Sequence, residues 1–367
     1  MHVCGLCGKK VLVSRALGVC GRCLVEQEGR TEEWVRRAHT AARAPFHLPE
    51  HVPAAETGVV CKSCANNCRI PSGGSGFCGL RRNDNGRLVQ VAGTPAGGVV
   101  SWYHDPLPTN CVASWVCPAG SELGYPDFSY APGPEYGYTN LAVFYEACSF
   151  DCLFCQNWHY RESAPSKRLR SAQELAAAVD SRTACICYFG GDPGPQVAHA
   201  LAAARSALTA HPGRPLRICW ETNGSVCRSA LRRMADLSLR TGGCIKIDLK
   251  AFTPQLHLAL CGTDNAQTLS NVAWLARLAQ QRPSLPLLVV STLLVPGYVE
   301  ADEVRRIARF LASLDPHTPY SLLAFYPQFF MSDLPVTSRE QAFACLQAAQ
   351  GEGLHRVHLG NQHLLGL

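Results

Sequence analysis

Residues 140–158 read NLAVFYEACSFDCLFCQNW, a largely apolar run that ends in cysteines at 148, 152 and 155. An apolar run of this length fits a strand buried on both faces. Six further runs share that character: CICYFGGD (185–192), RICWETNG (217–224), CIKIDLKA (244–251), LLVVSTLLV (287–295), YSLLAFYP (320–327) and HRVHLG (355–360). Helical patterns lie between them, and Ser171 with Glu174 and Ser338 with Gln341 read as capping boxes. Buried strands alternating with helices predict a parallel α/β barrel, partial or complete, over residues 139–367. In such barrels chemistry gathers at the C-terminal ends of the strands, so the residues that close each run carry the most weight.

The cysteine loop is the first of these strand ends. Its CxxxCxxC spacing places Cys148, Cys152 and Cys155 on one strand-to-helix loop, where three thiolates can hold three irons of a cubane cluster. The fourth iron then lacks a protein ligand, and an open metal position suits catalysis. A zinc site or an ordinary ferredoxin-type cluster would use the same residue types; the place at the top of the first strand favours the catalytic reading. Strand alternation turns Asp248 and Lys250 to one face, where opposite charges inside a barrel must pair or meet a polar ligand.

The bulk numbers agree with one large domain plus small appendages: 367 residues, 47% hydrophobic, 17% charged, formal charge +6. That charge permits an acidic partner such as RNA without demanding one, so nucleic acid is not excluded. No apolar run approaches the roughly 20 residues of a membrane span, and the opening MHVCGLCGKK lacks the apolar core of a secretory signal. Twenty cysteines in such a chain read as metal ligands kept reduced in the cytoplasm rather than as disulfides.

Ahead of the barrel lie two more cysteine groups. Residues 1–30 carry Cys4-x-x-Cys7 and Cys20-x-x-Cys23, the two knuckles of a zinc-ribbon-like module, with rubredoxin-like iron or a cluster as the alternative. Residues 31–57 read as a helix and linker. Residues 58–138 form a Cys-rich auxiliary segment and an irregular wrapping region, in which Cys61, Cys64, Cys68 and Cys78 could hold zinc or a second [4Fe–4S] cluster. Cys111 and Cys117 could add ligands or pack as small hydrophobes, and Cys219, Cys227, Cys244, Cys261 and Cys345 are assigned to core packing.

The loop CSFDCLFCQNW, with Phe154 before the last cysteine, resembles the radical SAM superfamily. IKIDLKAF, LALCG, TLLVPG, FYPQF, DLPVT and the final HLGN recur in the same order in the branch of the pyruvate formate-lyase activating enzyme and the AmmeMemoRadiSam-type proteins. The Cys61–Cys78 segment is similar to the N-terminal cysteine segment of the latter. The resemblance implies a [4Fe–4S] cluster whose open iron binds S-adenosylmethionine. One electron, from a flavodoxin- or ferredoxin-type donor, would then yield a 5′-deoxyadenosyl radical for hydrogen abstraction. It also implies cofactor contacts for Phe154, Gly190, Gly191, Asp192, Pro193, Glu221, Asn223, Asp248 and Lys250. Gly190-Gly191-Asp192-Pro193 resembles the family's GGEP segment, with Asp in place of the usual Glu. Tyr326 and Gln328 are weaker candidates for pocket walls, and Ser291 and Thr292 read equally as polar residues within a strand.

Activators with extra clusters carry them in an insert after the motif; residues 156–184 contain no Cys, which excludes that form. The expected function is hydrogen abstraction from a protein or peptide, as in glycyl-radical activation. RNA or a small molecule is the alternative substrate, and a non-catalytic electron-transfer or adaptor protein is the rival from another class.

Overall fold

The computed structural model describes residues 1–163 and 168–366. The chain opens with a hairpin of β1 (His2–Val3) and β2 (Lys10–Val11), then α1 (Gly21–Glu26) and α2 (Glu32–Arg43). Two more small hairpins follow, β3 (Val59–Val60) with β4 (Arg69–Ile70) and β5 (Arg81–Asp84) with β6 (Arg87–Gln90). Asn85 and Gly86 join the last pair with φ of 50° and 86°, the left-handed pair a tight hairpin turn requires.

The main sheet has eight strands. β7 (Val100–Pro106) runs antiparallel on one edge, against β8 (Thr139–Tyr145). From β8 the order is sequential and parallel through β9 (Thr183–Gly190), β10 (Arg217–Thr222), β11 (Ile245–Asp248), β12 (Leu288–Leu294), β13 (Tyr320–Ala324) and β14 (Val357–Gly360). β14 and β7 are the two ends and are not paired with each other, so the barrel is partial. The outer layer includes α3 (Tyr160–Ser163), α4 (Ala172–Ala176), α5 (Val197–Ala210), α6 (Arg228–Thr241), α7 (Pro254–Cys261), α8 (Ala266–Ala279), α9 (Ala301–Leu314) and α10 (Arg339–Gly351). One continuous core, including Leu141, Ile186, Ile218, Ile247 and Val290, lies between strands and helices.

Each of the seven apolar runs is a strand. The wrapping region that ends at residue 138, expected to be irregular, differs: β7 lies inside it and extends the sheet beyond the boundary expected at residue 139. Its side chains are mostly exposed, a weak apolar signal that pairing with β8 overrides. Ser171 and Glu174 form the reciprocal capping box. Ser338 accepts from the Gln341 backbone N–H (3.1 Å), but the Gln341 side chain donates to the Val299 carbonyl instead (3.1 Å). That second box is half made because a tertiary acceptor outcompetes the local one.

The N-terminal ribbon is seated on the barrel rather than hanging from it. Tyr298, just after β12, accepts a hydrogen bond from the Ser14 N–H (2.9 Å) and donates to the Val19 carbonyl (3.0 Å). Leu17, Val19 and Leu24 are buried in the main core. No helix among the described residues is long and apolar enough to cross a membrane.

Candidate active site

Cys148, Cys152 and Cys155 sit on the loop between β8 and α3, at the C-terminal end of the sheet. Residues from several parts of the chain hold the loop in place. The Asp151 and Leu153 N–H groups donate to the Cys261 and Leu260 carbonyls (2.8 and 3.0 Å) at the end of α7. The Asp151 carboxylate, wholly buried, accepts from His39 Nδ1 (2.8 Å) and Arg161 Nη2 (3.0 Å) and lies 3.5 Å from Arg43 Nη1. Burial would raise its pKa, but the hydrogen bond and charge of His39, with the two guanidinium groups, hold it at about 2. Arg43 also donates to the Phe77 carbonyl and stacks over the Phe77 ring at 3.6 Å. One arginine thus ties α2, the cysteine segment and the cluster loop together.

The strand ends close over this loop. Asn223, after β10, donates to Ser149 Oγ (2.9 Å) and lies 3.6 Å from Cys148 Sγ. Gly190 and Gly191 continue the ladder onto the loop: the Gly191 and Asp192 N–H groups donate to the Tyr145 and Ala147 carbonyls, both at 2.8 Å. A Cβ at Gly190 would lie 2.6 Å from the Tyr145 nitrogen, and one at Gly191 only 2.4 Å from the Ala147 oxygen. The glycines are required by the chain's own backbone as well as by any ligand.

Asp192 is buried, and its Oδ1 accepts from Thr222 Oγ1 (2.6 Å) and the Asn223 N–H (2.9 Å), its Oδ2 from the Gly194 N–H (2.8 Å). Three of its roughly four acceptor positions are therefore occupied. The shorter Asp fits this buried turn, and burial, against these bonds, raises its pKa.

A cavity of about 270 Å³ is lined by all three cysteines and by Phe154, Gly190, Gly191, Asp192, Glu221, Asn223, Asp248 and Lys250. Pro193 lies behind Asp192, outside the lining. Lys250 pairs with Asp248 and lies 5.5 Å from the Phe154 ring centroid. Burial would lower its pKa, but the Asp248 carboxylate holds it above the ordinary lysine range. Asp248 Oδ1 is buried with no hydrogen-bond partner among the described residues, an acceptor aimed at something the chain does not supply.

Tyr326 is exposed, and neither it nor Gln328 lines the cavity. Ser291 and Thr292 are buried; Thr292 donates to the Leu249 carbonyl (2.8 Å) and accepts from the Tyr320 hydroxyl (2.9 Å). Asn157, whose Nδ2 donates to the Gly190 carbonyl (3.1 Å), and Asn110, from the loop after β7, also line the site. Asn157 lies within the cysteine loop CSFDCLFCQNW, whereas Asn110 carries no sequence signal. Lys246 shares the face of Asp248 and Lys250, and its Nζ lies 3.2 Å from Glu221 Oε2.

Residues 142–311 match the profile of the Radical SAM superfamily. They form a radical SAM domain. An uncharacterized protein of Methanocaldococcus jannaschii is 26% identical over 310 residues, covering 83% of this chain and 81% of its own. The isethionate sulfite-lyase activating enzyme of Oleidesulfovibrio alaskensis is 27% identical over 188 residues, 47% of this chain and 55% of that enzyme. Among solved structures, a domain of the pyruvate-formate lyase-activating enzyme from Bacteroides vulgatus aligns with TM-score 0.37 at 20% identity, over 48% of this chain and 98% of that one. SuiB of Streptococcus suis, bound to its precursor peptide SuiA, aligns with TM-score 0.46 at 11% identity, over 59% and 47%.

The residues of the radical SAM domain fit the cluster and S-adenosylmethionine that the superfamily implies. Burial raises the pKa of Cys148 and Cys155, and the neighbouring Cys261 thiol, 3.7 Å away, raises that of Cys152 together with burial. Cys261 packs in the core as expected, and there it also touches Cys152. As free thiols the three stay protonated at neutral pH; metal binding displaces those protons. The unpartnered Asp248 oxygen meets the need of a polar ligand in the same cavity.

The two N-terminal groups differ in spacing. The sulfurs of Cys4, Cys7, Cys20 and Cys23 all lie within 4.8 Å of one another, and Cys4 and Cys23 are 3.8 Å apart. A tetrahedral ion with Zn–S bonds of about 2.3 Å separates its sulfurs by roughly 3.8 Å. Burial would raise the Cys4 pKa, but backbone N–H groups near Cys7 and Cys20 hold it at about 6. Cys61, Cys64, Cys68 and Cys78 share one neighbourhood without that close approach: among the described residues only the first quartet qualifies. The second segment docks beside the cluster loop, where Asn66 Nδ2 donates to the Ser149 carbonyl (2.7 Å).

Proposed function

We propose that this radical SAM enzyme cleaves S-adenosylmethionine reductively and uses the resulting radical to abstract hydrogen from a protein or peptide, in the manner of a glycyl-radical activator. The observation that carries the reading is the convergence of three thiols and the Asp248–Lys250 pair on one cavity at the sheet's C-terminal end. In this reading Cys148, Cys152 and Cys155 hold three irons and leave the fourth open. When bound, the cluster and S-adenosylmethionine supply reductive cleavage of the sulfonium C–S bond to methionine and a 5′-deoxyadenosyl radical.

The chain's own residues bind, orient and shield. Asp192 orders Thr222 and Asn223 and keeps one acceptor position for an ammonium donor. Asp248 Oδ1 accepts from a ligand hydroxyl or amine, and Lys250 offers the balancing charge. Phe154, Leu293 and Leu323 form the apolar wall that excludes water. A polypeptide substrate is favoured by the likeness to an activating enzyme. The same reading places zinc in the ribbon and a second [4Fe–4S] cluster in the Cys61–Cys78 segment. It also assigns a flavodoxin- or ferredoxin-type donor and the reducing cytoplasm.

The test is anaerobic reconstitution, reduction with dithionite and quantification of 5′-deoxyadenosine after adding S-adenosylmethionine. Deoxyadenosine is expected from the native chain and none from the variant combining Cys148→Ala, Cys152→Ala and Cys155→Ala. Deoxyadenosine from that variant at the native rate would sink the assignment.

A further inference from the structure

Below the active-site cavity, inside the sheet's curve, lies a second space of about 620 Å³. Its walls carry Cys111, Cys117, Cys185, Cys187, Cys219 and Cys244. The two cavities share Asn110, Phe189 and Glu221 as lining, so they adjoin. Nothing in the proposed reaction uses these six cysteines.

Their placement follows from the ladder. Cys187 pairs with Cys219 across β9 and β10, and Cys219 precedes Trp220, which is registered against Ile245, the residue after Cys244. Cys187, Cys219 and Cys244 thus form a row across three consecutive strands at one height, and all three line the space. Cys111 and Cys117 reach it from the loop after β7. Lys246 Nζ lies 3.1 Å from Cys111 Sγ and 2.9 Å from Cys187 Sγ, which keeps those two sulfurs within 6.0 Å of each other. None of the six is in a disulfide.

We propose that this space holds an iron–sulfur cluster distinct from the radical-generating one, ligated by Cys111 and Cys117 from the loop and Cys187 and Cys219 from the strands. Soft thiolates select iron–sulfur, zinc or copper(I). Spacing argues against a single ion, since no three of these sulfurs come within the 4.8 Å that the ribbon quartet shows, and Cys111 and Cys187, up to 6.0 Å apart, leave room for a multi-iron core. Charge agrees, because a thiolate-bound cluster is anionic and the buried Lys246 ammonium, although also 3.2 Å from Glu221, lies against both Cys111 and Cys187; Arg217 is already balanced by Glu135. The third argument rests on the radical reading above. An S–H bond is weaker than most C–H bonds, so free thiols beside a radical source would be consumed ahead of substrate. Iron ligation removes as protons the hydrogens of the four ligating thiols, leaving only those of Cys185 and Cys244.

Metal content, not activity, tests the proposal, so its failure is separable from failure of the radical reading. The full chain carrying Cys61→Ala, Cys64→Ala, Cys68→Ala, Cys78→Ala, Cys148→Ala, Cys152→Ala and Cys155→Ala is reconstituted anaerobically with ferrous iron and sulfide. It is expected to retain up to about four irons and four sulfides per chain, lost when Cys187→Ser and Cys219→Ser are added. No cluster iron in the first variant, with native far-UV circular dichroism, overturns the proposal, as do iron and sulfide that persist together in the second. Should the sevenfold variant not fold, Cys187→Ser with Cys219→Ser in the otherwise native chain decides. A loss of up to about four irons supports the site, and unchanged iron overturns it.

Discussion

The ribbon quartet and the cluster loop both offer thiols to metal, yet they are built in opposite ways. Cys4, Cys7, Cys20 and Cys23 converge to within 4.8 Å through two short knuckles, and the small β1–β2 hairpin and α1 suffice to bring them together. Cys148, Cys152 and Cys155 lie on a loop with little regular structure of its own, fixed by α2, α3, α7 and the ends of β9 and β10. A structural ion can rely on local geometry because it closes its own shell. A catalytic centre with an open position needs a frame that holds without help from a fourth ligand.

The largest effect that would sharpen this contrast is all-or-none. Cys7→Ser should abolish zinc binding while iron per chain is unchanged, read by elemental analysis of the same sample; a parallel fall in iron would break the idea that the two sites are built separately.

Next comes Asp151→Asn, which leaves two wholly buried guanidinium groups without their carboxylate. Removing one partner of such a pair costs roughly 3–5 kcal/mol, to be read from urea unfolding. The pH dependence has a defined sign. Asp151 titrates near 2 in the folded chain, below the ordinary carboxylate, so its contribution is complete above about pH 4 and is lost as pH falls toward 2. The gap between native and variant stability should therefore narrow only below pH 4; a gap independent of pH down to 2 would contradict the assignment.

Asp192→Glu should be milder. The added methylene must fit a turn already closed by three hydrogen bonds, an overpacking cost of about 1–3 kcal/mol. Weaker S-adenosylmethionine binding by equilibrium titration should accompany it, whereas tighter binding would mean that the longer reach outweighs the fit. The smallest effect is expected for Gln341→Ala, which removes one bond to the Val299 carbonyl and about 0.5–1.5 kcal/mol. Thermal unfolding would detect it, and no shift would mean that solvent replaces that bond.

Much of the fold was readable because the parallel strands are buried on both faces and stand out as continuous apolar runs. β7 was not, since an edge strand with exposed side chains carries no such run. The cysteine motif fixed the position of the cluster loop, and the alternation of Asp248 and Lys250 set their shared face. The same alternation applied to Lys246, Cys187 and Cys219 would have turned them inward, but apolar context disguised them as core. The roles of Asp151, His39 and Arg43 had no local pattern at all; they meet across 112 and 108 residues of chain.

By itself the sequence determined the positions of the seven parallel strands, the ribbon knuckles and the three cysteines at the head of the barrel, because each depends on residues close together in the chain. The tertiary structure decided the rest: that α2 clamps the cluster loop, that Gly190 and Gly191 are needed by the chain's own backbone, and that six distant cysteines face one space. Those outcomes arise from side chains meeting across strands and loops, where burial and pairing override what any short stretch encodes.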